Sequence, residues 1–226
     1  MYFIGSGALL THAIAYSRTA KLCVDGACCS SSDAASARLR TLGIDVLDSE
    51  DPNREQAAIL RACSDGIVFS VNNKHLLNDA LLGSGPAFFN IHNGLIQRYR
   101  GIAEICIFAA VCRGDEAYGA TLQRLAPGQK VDSGAVVAQI AFRIETTDRF
   151  ADVLAKSLNA CRQLFEENVA RVARGAYEAK HLDSAAAAFS YRDIPALAAQ
   201  ADPKRLARAS DLGRYAGFFP RLKAAL

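Results

Sequence analysis

The sequence carries almost no excess of charge. Lysine and arginine number 26 against 23 acidic residues, for a net charge of +3 at neutral pH. That balance provides no basic stripe, so neither nucleic acid nor a membrane surface is expected as a partner. Long apolar runs are also missing, which excludes a bilayer-spanning helix. No basic stretch precedes the first apolar residues. MYFIGSGALLTHAIAYSRTA therefore reads as a strand entering a helix, not as a secretory signal. The seven cysteines, at 23, 28, 29, 63, 106, 112 and 161, never show C-x-x-C spacing. No metal site is expected from them, and free thiols point to a cytoplasmic protein. A catalytic cysteine stays open at this point.

What is present is a full core. Hydrophobic residues make up 51% of the 226-residue chain, enough for one α/β domain with a short appendage. Strand-like and helix-like segments alternate in the first half. Strands are expected at Met1–Ile4, Lys21–Asp25, Gly43–Leu47, Gly66–Val71 and Pro86–Ile91. Helices are expected at Ala8–Ser17, Ala34–Leu42 and Arg54–Ala62 between them. This β-α-β order predicts a Rossmann-like, mostly parallel sheet flanked by helices. Further on, an apolar helix is expected at Ile102–Arg113 and two paired strands at Gly119–Leu125 and Ala135–Ile144. A long helix should run from a Thr147 cap to Arg174, with Leu154, Leu158, Cys161, Phe165 and Val169 as its apolar stripe. Residues 1–175 read as the catalytic domain and 176–226 as a loosely regular appendage packed on it. The Ala185–Ala188 run reads as a helix or a linker.

In such a sheet, ligands bind at the carboxyl ends of the strands, where the strand order reverses. Two loops there carry chemistry. In Phe88-Phe89-Asn90-Ile91-His92-Asn93-Gly94, strand alternation puts Asn90 and His92 on one side, about 7 Å apart. An amide beside an imidazole can polarise a carbonyl and move a proton. In Pro127-Gly128-Gln129-Lys130-Val131-Asp132-Ser133-Gly134, Asp132 can orient a histidine, although a turn role is its default. Gly5-Ser6-Gly7 lacks the third glycine of a dinucleotide fingerprint and reads as a tight turn before a phosphate cradle. His12, His75 and His181 stand isolated, with structural roles as the default.

Three blocks together resemble the folate-dependent formyltransferase family. Asn90-Ile91-His92-Asn93-Gly94-Leu95-Ile96-Gln97-Arg98-Tyr99-Arg100-Gly101 is similar to its Asn-x-His signature. Gly114–Thr121 is similar to its Gly-x-Thr strand entry, and Val131-Asp132-Ser133-Gly134 followed by an apolar strand and Gln139 to its Asp-x-Gly segment. The resemblance covers about residues 1–170. It departs at Gln97, where a proline is usual, and at Gln123, where a histidine is frequent.

The resemblance implies the formyltransferase fold, 10-formyltetrahydrofolate as co-substrate and no metal. It implies Asn90, His92 and Asp132 as the catalytic trio. Val71, Asn72, Asn73, Lys74, His75, Leu76 and Val131 fall on its folate-binding segments, and Asn93, Gly94, Gln97, Tyr99 and Arg100 on its substrate side. The tail Arg208–Tyr215 is similar to the end of members that modify amino sugars or peptide and siderophore precursors. The expected partner is thus a small-molecule amine, with a homodimer or a carrier-bound substrate as further options. Water as acceptor would make the chain a hydrolase, and loss of turnover a binding module.

Overall fold

The computed structural model describes residues 1–182 and 188–226. Seven strands form one sheet in the order β3-β2-β1-β4-β5-β7-β8. They are β1 (Tyr2–Gly5), β2 (Gly26–Cys29), β3 (Val46–Asp48), β4 (Ile67–Val71), β5 (Ala87–His92), β7 (Ala117–Leu125) and β8 (Ala135–Arg143). Pairings among the first five are parallel. A two-stranded sheet joins β6 (Arg100–Gly101) to β9 (Ala188–Phe189). The helices are α1 (Gly7–Thr19), α2 (Ala34–Thr41), α3 (Gln56–Ala62), α4 (Asp79–Leu82), α5 (Ala103–Arg113), α6 (Phe150–Ala173), α7 (Ile194–Gln200), α8 (Pro203–Ser210) and α9 (Pro220–Ala225). The mostly parallel sheet flanked by helices agrees with the fold expected from the sequence. Among the described residues no helix is long and apolar enough to cross a membrane.

The described residues gather into two compact units. The first comprises Met1–His92, Leu122–Ala138 and Arg162–His181. Its centre follows from strand alternation. Phe3, Phe69 and Phe89 are register partners and share one face. Phe3 stacks on Phe69 at 5.9 Å, and Phe165 of α6 meets Phe69 edge-on at 5.3 Å. On the opposite face Tyr2, Val68 and Phe88 align and pack with Ile59 and Leu81. Truncating a ring such as Phe165 to alanine costs about 3–5 kcal/mol at sites of this kind. β1 and β4 approach so closely that a Cβ at Gly5 would lie 1.9 Å from the Val71 carbonyl oxygen. Only glycine fits there.

The second unit comprises Asn93–Thr121, Gln139–Cys161 and Leu182–Leu226. It is built around α5, which is apolar on nearly all sides and has eight buried residues from Ile105 to Cys112. A helix apolar all round has to be enclosed, and here Ile194, Leu197, Ala209 and Leu222 from the tail join Phe150 and Val153 around it.

Several local expectations need correction. The second strand is Gly26–Cys29, not Lys21–Asp25. Lys21 adopts a left-handed φ of 57° at the end of α1, so the alternating stretch after it is a connection. Strand β2 is made of small residues, all four buried, which suits a parallel strand covered on both faces. The tail is more regular than expected. Asp202 caps α8 by accepting from Arg205 N at 2.9 Å, with Pro203 behind it. Of the Ala185–Ala188 run, residues 185–187 lie outside the described residues, and Ala188 opens β9.

Candidate active site

The site grows from the carboxyl end of β5 and from the turn between β7 and β8. β5 ends at His92, with Asn90 two positions earlier in the same strand and so on the same face. His92 is buried at 6% exposure, and its Nδ1 lies 3.3 Å from Oδ1 of Asp132. Asp132 holds this position with φ at 48°, a left-handed conformation that aspartate tolerates better than most residues.

Gln123 on β7 completes the support. It is fully buried. Its Nε2 donates to Asp132 Oδ1 at 3.1 Å, and its Oε1 accepts from Gly134 N at 2.9 Å. One amide thus fixes both ends of the Asp132-Ser133-Gly134 turn. A Cβ at Gly134 would sit 2.4 Å from the Arg124 carbonyl oxygen, so the turn closes this tightly only with glycine. The sequence marked Gln123 only as a departure. Its position two residues past Thr121 on a buried strand was the available signal.

The pair is an imidazole with a carboxylate on Nδ1. Such a contact fixes the orientation of the ring. The arrangement can therefore hold a ring fixed, stabilise developing charge and pass a proton.

The expected folate segment lies at the end of β4. Val71 is buried in the strand. Asn72 takes φ of 52°, and its amide donates to Ser6 O at 3.2 Å and Ser6 Oγ at 3.1 Å. Asn73 closes a turn by accepting from His75 N at 3.1 Å and donating to His75 O at 2.7 Å. Lys74, His75 and Leu76 are exposed, Leu76 at 71%. The Pro127–Val131 turn is held by Gly128 N donating to Asp79 Oδ1 at 2.8 Å. At the β1 end, Asp33 accepts from Gly7 N at 3.0 Å and from Ala35 N at 2.8 Å. The first amide of α1 is thus met by the chain's own carboxylate, as fits a tight turn.

Residues expected on the substrate side divide into distinct groups. Tyr99 is a core residue instead. It is wholly buried, its ring centroid lies 4.6 Å from that of Tyr118, and its hydroxyl donates to Asp115, with the Ala117 carbonyl 3.2 Å away. Burial and the Asp115 hydrogen bond both push its hydroxyl far above the ordinary tyrosine range. Arg100 is buried in β6 at 8% exposure, and its carbonyl accepts from Cys106 Sγ. Gln97 pairs with Gln139, and the Gly94 carbonyl accepts from Thr121 Oγ1 at 2.7 Å. Asn93 differs from these: its Oδ1 is buried with no hydrogen-bond partner among the described residues.

Three of the buried thiols recede as nucleophiles. Burial pushes Cys28 and Cys161 up to about 12 and Cys112 up to about 11, so they stay protonated near neutral pH.

The sequence pattern of the family described as formyl transferase matches residues 45–169, more than half of the chain. The chain belongs to the formyl transferase family. Solved structures with the same fold agree at low identity. A 4-N formyltransferase from Francisella tularensis superposes with a TM-score of 0.76 at 17% identity, covering 92% of this chain and 86% of that one. An N-formyltransferase from Helicobacter canadensis, solved with folinic acid and dTDP-3-aminofucose, gives 0.70 at 17% identity over 85% and 71%. Glycinamide ribonucleotide transformylase 1 from Symbiobacterium toebii gives 0.70 at 20% identity over 80% and 93%.

Proposed function

We propose that this formyl transferase moves a formyl group from 10-formyltetrahydrofolate to the amine of a small molecule, an amino sugar or a peptide, siderophore or natural-product precursor. The observation that carries this reading is buried His92 paired with Asp132 and locked by Gln123 in a chain of this family. Folate-bearing and amino-sugar-bearing relatives of the same fold support it.

In the proposed reaction the amine lone pair attacks the formyl carbon, and the carbonyl electrons move to oxygen. Asn90 and His92 donate hydrogen bonds to that oxygen. The tetrahedral centre then expels the folate nitrogen. The attacking amine loses a proton, the leaving nitrogen gains one, and Asp132 with His92 relays it. Asn93 supports the acceptor side, because a buried, unpartnered carbonyl oxygen favours a ligand N–H. Gly94 and Arg100 accompany it in the same segment. Val71, Asn72, Asn73, Lys74, His75, Leu76 and Val131 form the proposed folate side.

The test is release of tetrahydrofolate from 10-formyltetrahydrofolate in the presence of a panel of amino sugars, hydroxylamines and amino acids. Amine-dependent release supports transfer. Release without amine assigns a hydrolase, and tight folate binding without release assigns a binding module.

A further inference from the structure

The segment after His92 is tied by a set of hydrogen bonds. Thr121 Oγ1 donates to the Gly94 carbonyl at 2.7 Å and accepts from Ile96 N at 3.4 Å and Gln139 Nε2 at 2.8 Å. A hydroxyl has one proton and two lone pairs, so Thr121 is saturated. Gln139 Nε2 also donates to Gln97 Oε1 at 2.8 Å, and Gln97 Nε2 returns a bond to Gln139 Oε1 at 3.3 Å. The two amides face each other reciprocally across the turn and β8. Thr121 is wholly buried, and both glutamines are half-buried.

Each end of the set acts on the main chain. Gln97 sits in a tight turn in which Arg98 N and Tyr99 N both donate to Leu95 O at 2.8 Å. Tyr118 Oη donates to the Asn93 carbonyl at 2.8 Å. The carbonyls of the two residues following His92 are therefore both held by side chains, and Asn93 with its unpartnered Oδ1 lies between the anchors.

We infer that the Gln97–Gln139 amide pair is a positioning device for the acceptor amine. Gln97 works through Gln139 and Thr121 to fix the main chain at Gly94 and so to aim Asn93. It does not touch the ligand. The inference rests on the formyl-transfer reading above, with Asn93 on the acceptor side. It separates the roles of two neighbours: Asn93 meets the amine and Gln97 holds the segment still. A misaimed positioning group alters the reaction of the amine and leaves folate affinity alone.

The test compares wild type with Gln97→Ala, Gln139→Ala and the double variant, using an accepted amine and 10-formyltetrahydrofolate. Gln97→Ala should lower kcat/KM for the amine about tenfold with the KM for 10-formyltetrahydrofolate unchanged. The double variant should be no worse than Gln139→Ala alone, because both break one unit. Equal effects on the two substrates, additive losses or an unchanged Gln97→Ala enzyme would overturn the inference. Amide hydrogen exchange across residues 93–101, read without substrate, judges it independently of turnover. Loss of protection in Gln97→Ala supports the tie, and unchanged protection refutes it even where no amine is accepted and the formyl-transfer reading fails.

Discussion

Two residues of the first unit share one backbone conformation and use it differently. Asn72 after β4 and Asp132 before β8 both have φ near 50°, the left-handed region. For a non-glycine residue this costs about 1–2 kcal/mol, so the surroundings must impose it. Asn72 is held by Ser6: Ser6 Oγ donates to its carbonyl at 2.7 Å, and its amide donates back. That bracket joins the ends of β1 and β4 and engages the Asn72 amide nitrogen. Asp132 is held from behind by Gln123, and its carboxylate is presented to His92. The same device thus closes a strand pair in one place and aims a charge in the other. What separates them is where the side chain's contacts end: on the scaffold, or on the His92 ring.

The largest effect is expected at the His92 ring. His92→Ala should cut kcat for formyl transfer by about 10²–10⁴-fold, with the far-ultraviolet circular dichroism of the folded chain retained. A change within a factor of a few would remove the distinction. Next in size is Gln123→Leu, which strips a partner from Asp132 and from the Gly134 N–H. It should lower kcat about tenfold and cost about 1–3 kcal/mol in urea unfolding. Loss of stability with full activity would make Gln123 part of the scaffold alone.

Asn72→Ala should act in the opposite sense. Its cost of about 1–2 kcal/mol should appear in unfolding, with Asn72→Gly recovering the share due to the left-handed backbone. If Asn72→Ala instead lowered kcat as much as His92→Ala, the two loops would not differ in kind. The smallest effect belongs to the thiols. Cys28 should react with iodoacetamide far more slowly than exposed Cys23 at pH 7.5, because burial lifts its thiol to about 12. Only thiolate reacts, so its rate should keep rising with pH towards that value. Rapid labelling of Cys28 at pH 7.5 would reopen a cysteine role.

Much of this was legible in the sequence where one principle acted alone. Ile67–Val71 and Ala87–His92 are β-branched or aromatic and buried, and both strands fall where expected. β2 was misplaced because Gly26–Cys29 has weak strand propensity and owes its strand to burial between neighbours, which local pattern does not encode. The helices of the tail were underestimated although Asp202-Pro203 is a start signal, because a short segment with few apolar residues is decided by what it packs on. At the site, Asn90, His92 and Asp132 could be named from spacing and resemblance. The Gln123 lock and the Gln97–Gln139 pair could not, since each joins residues far apart in the chain through bonds that only the folded sheet brings into reach. Tyr99, set on the substrate side by the resemblance alone, is wholly buried, and burial is not encoded in the local pattern.

The most direct test is single-turnover formyl transfer by Asp132→Asn, with folate affinity and unfolding midpoint measured on the same preparation. The substitution keeps the shape of the side chain and removes only its charge. The expected rate is lower by about 10²–10⁴-fold, with folate affinity and stability close to wild type. A rate near wild type would show that the carboxylate at His92 is a structural contact and that the chemistry lies elsewhere.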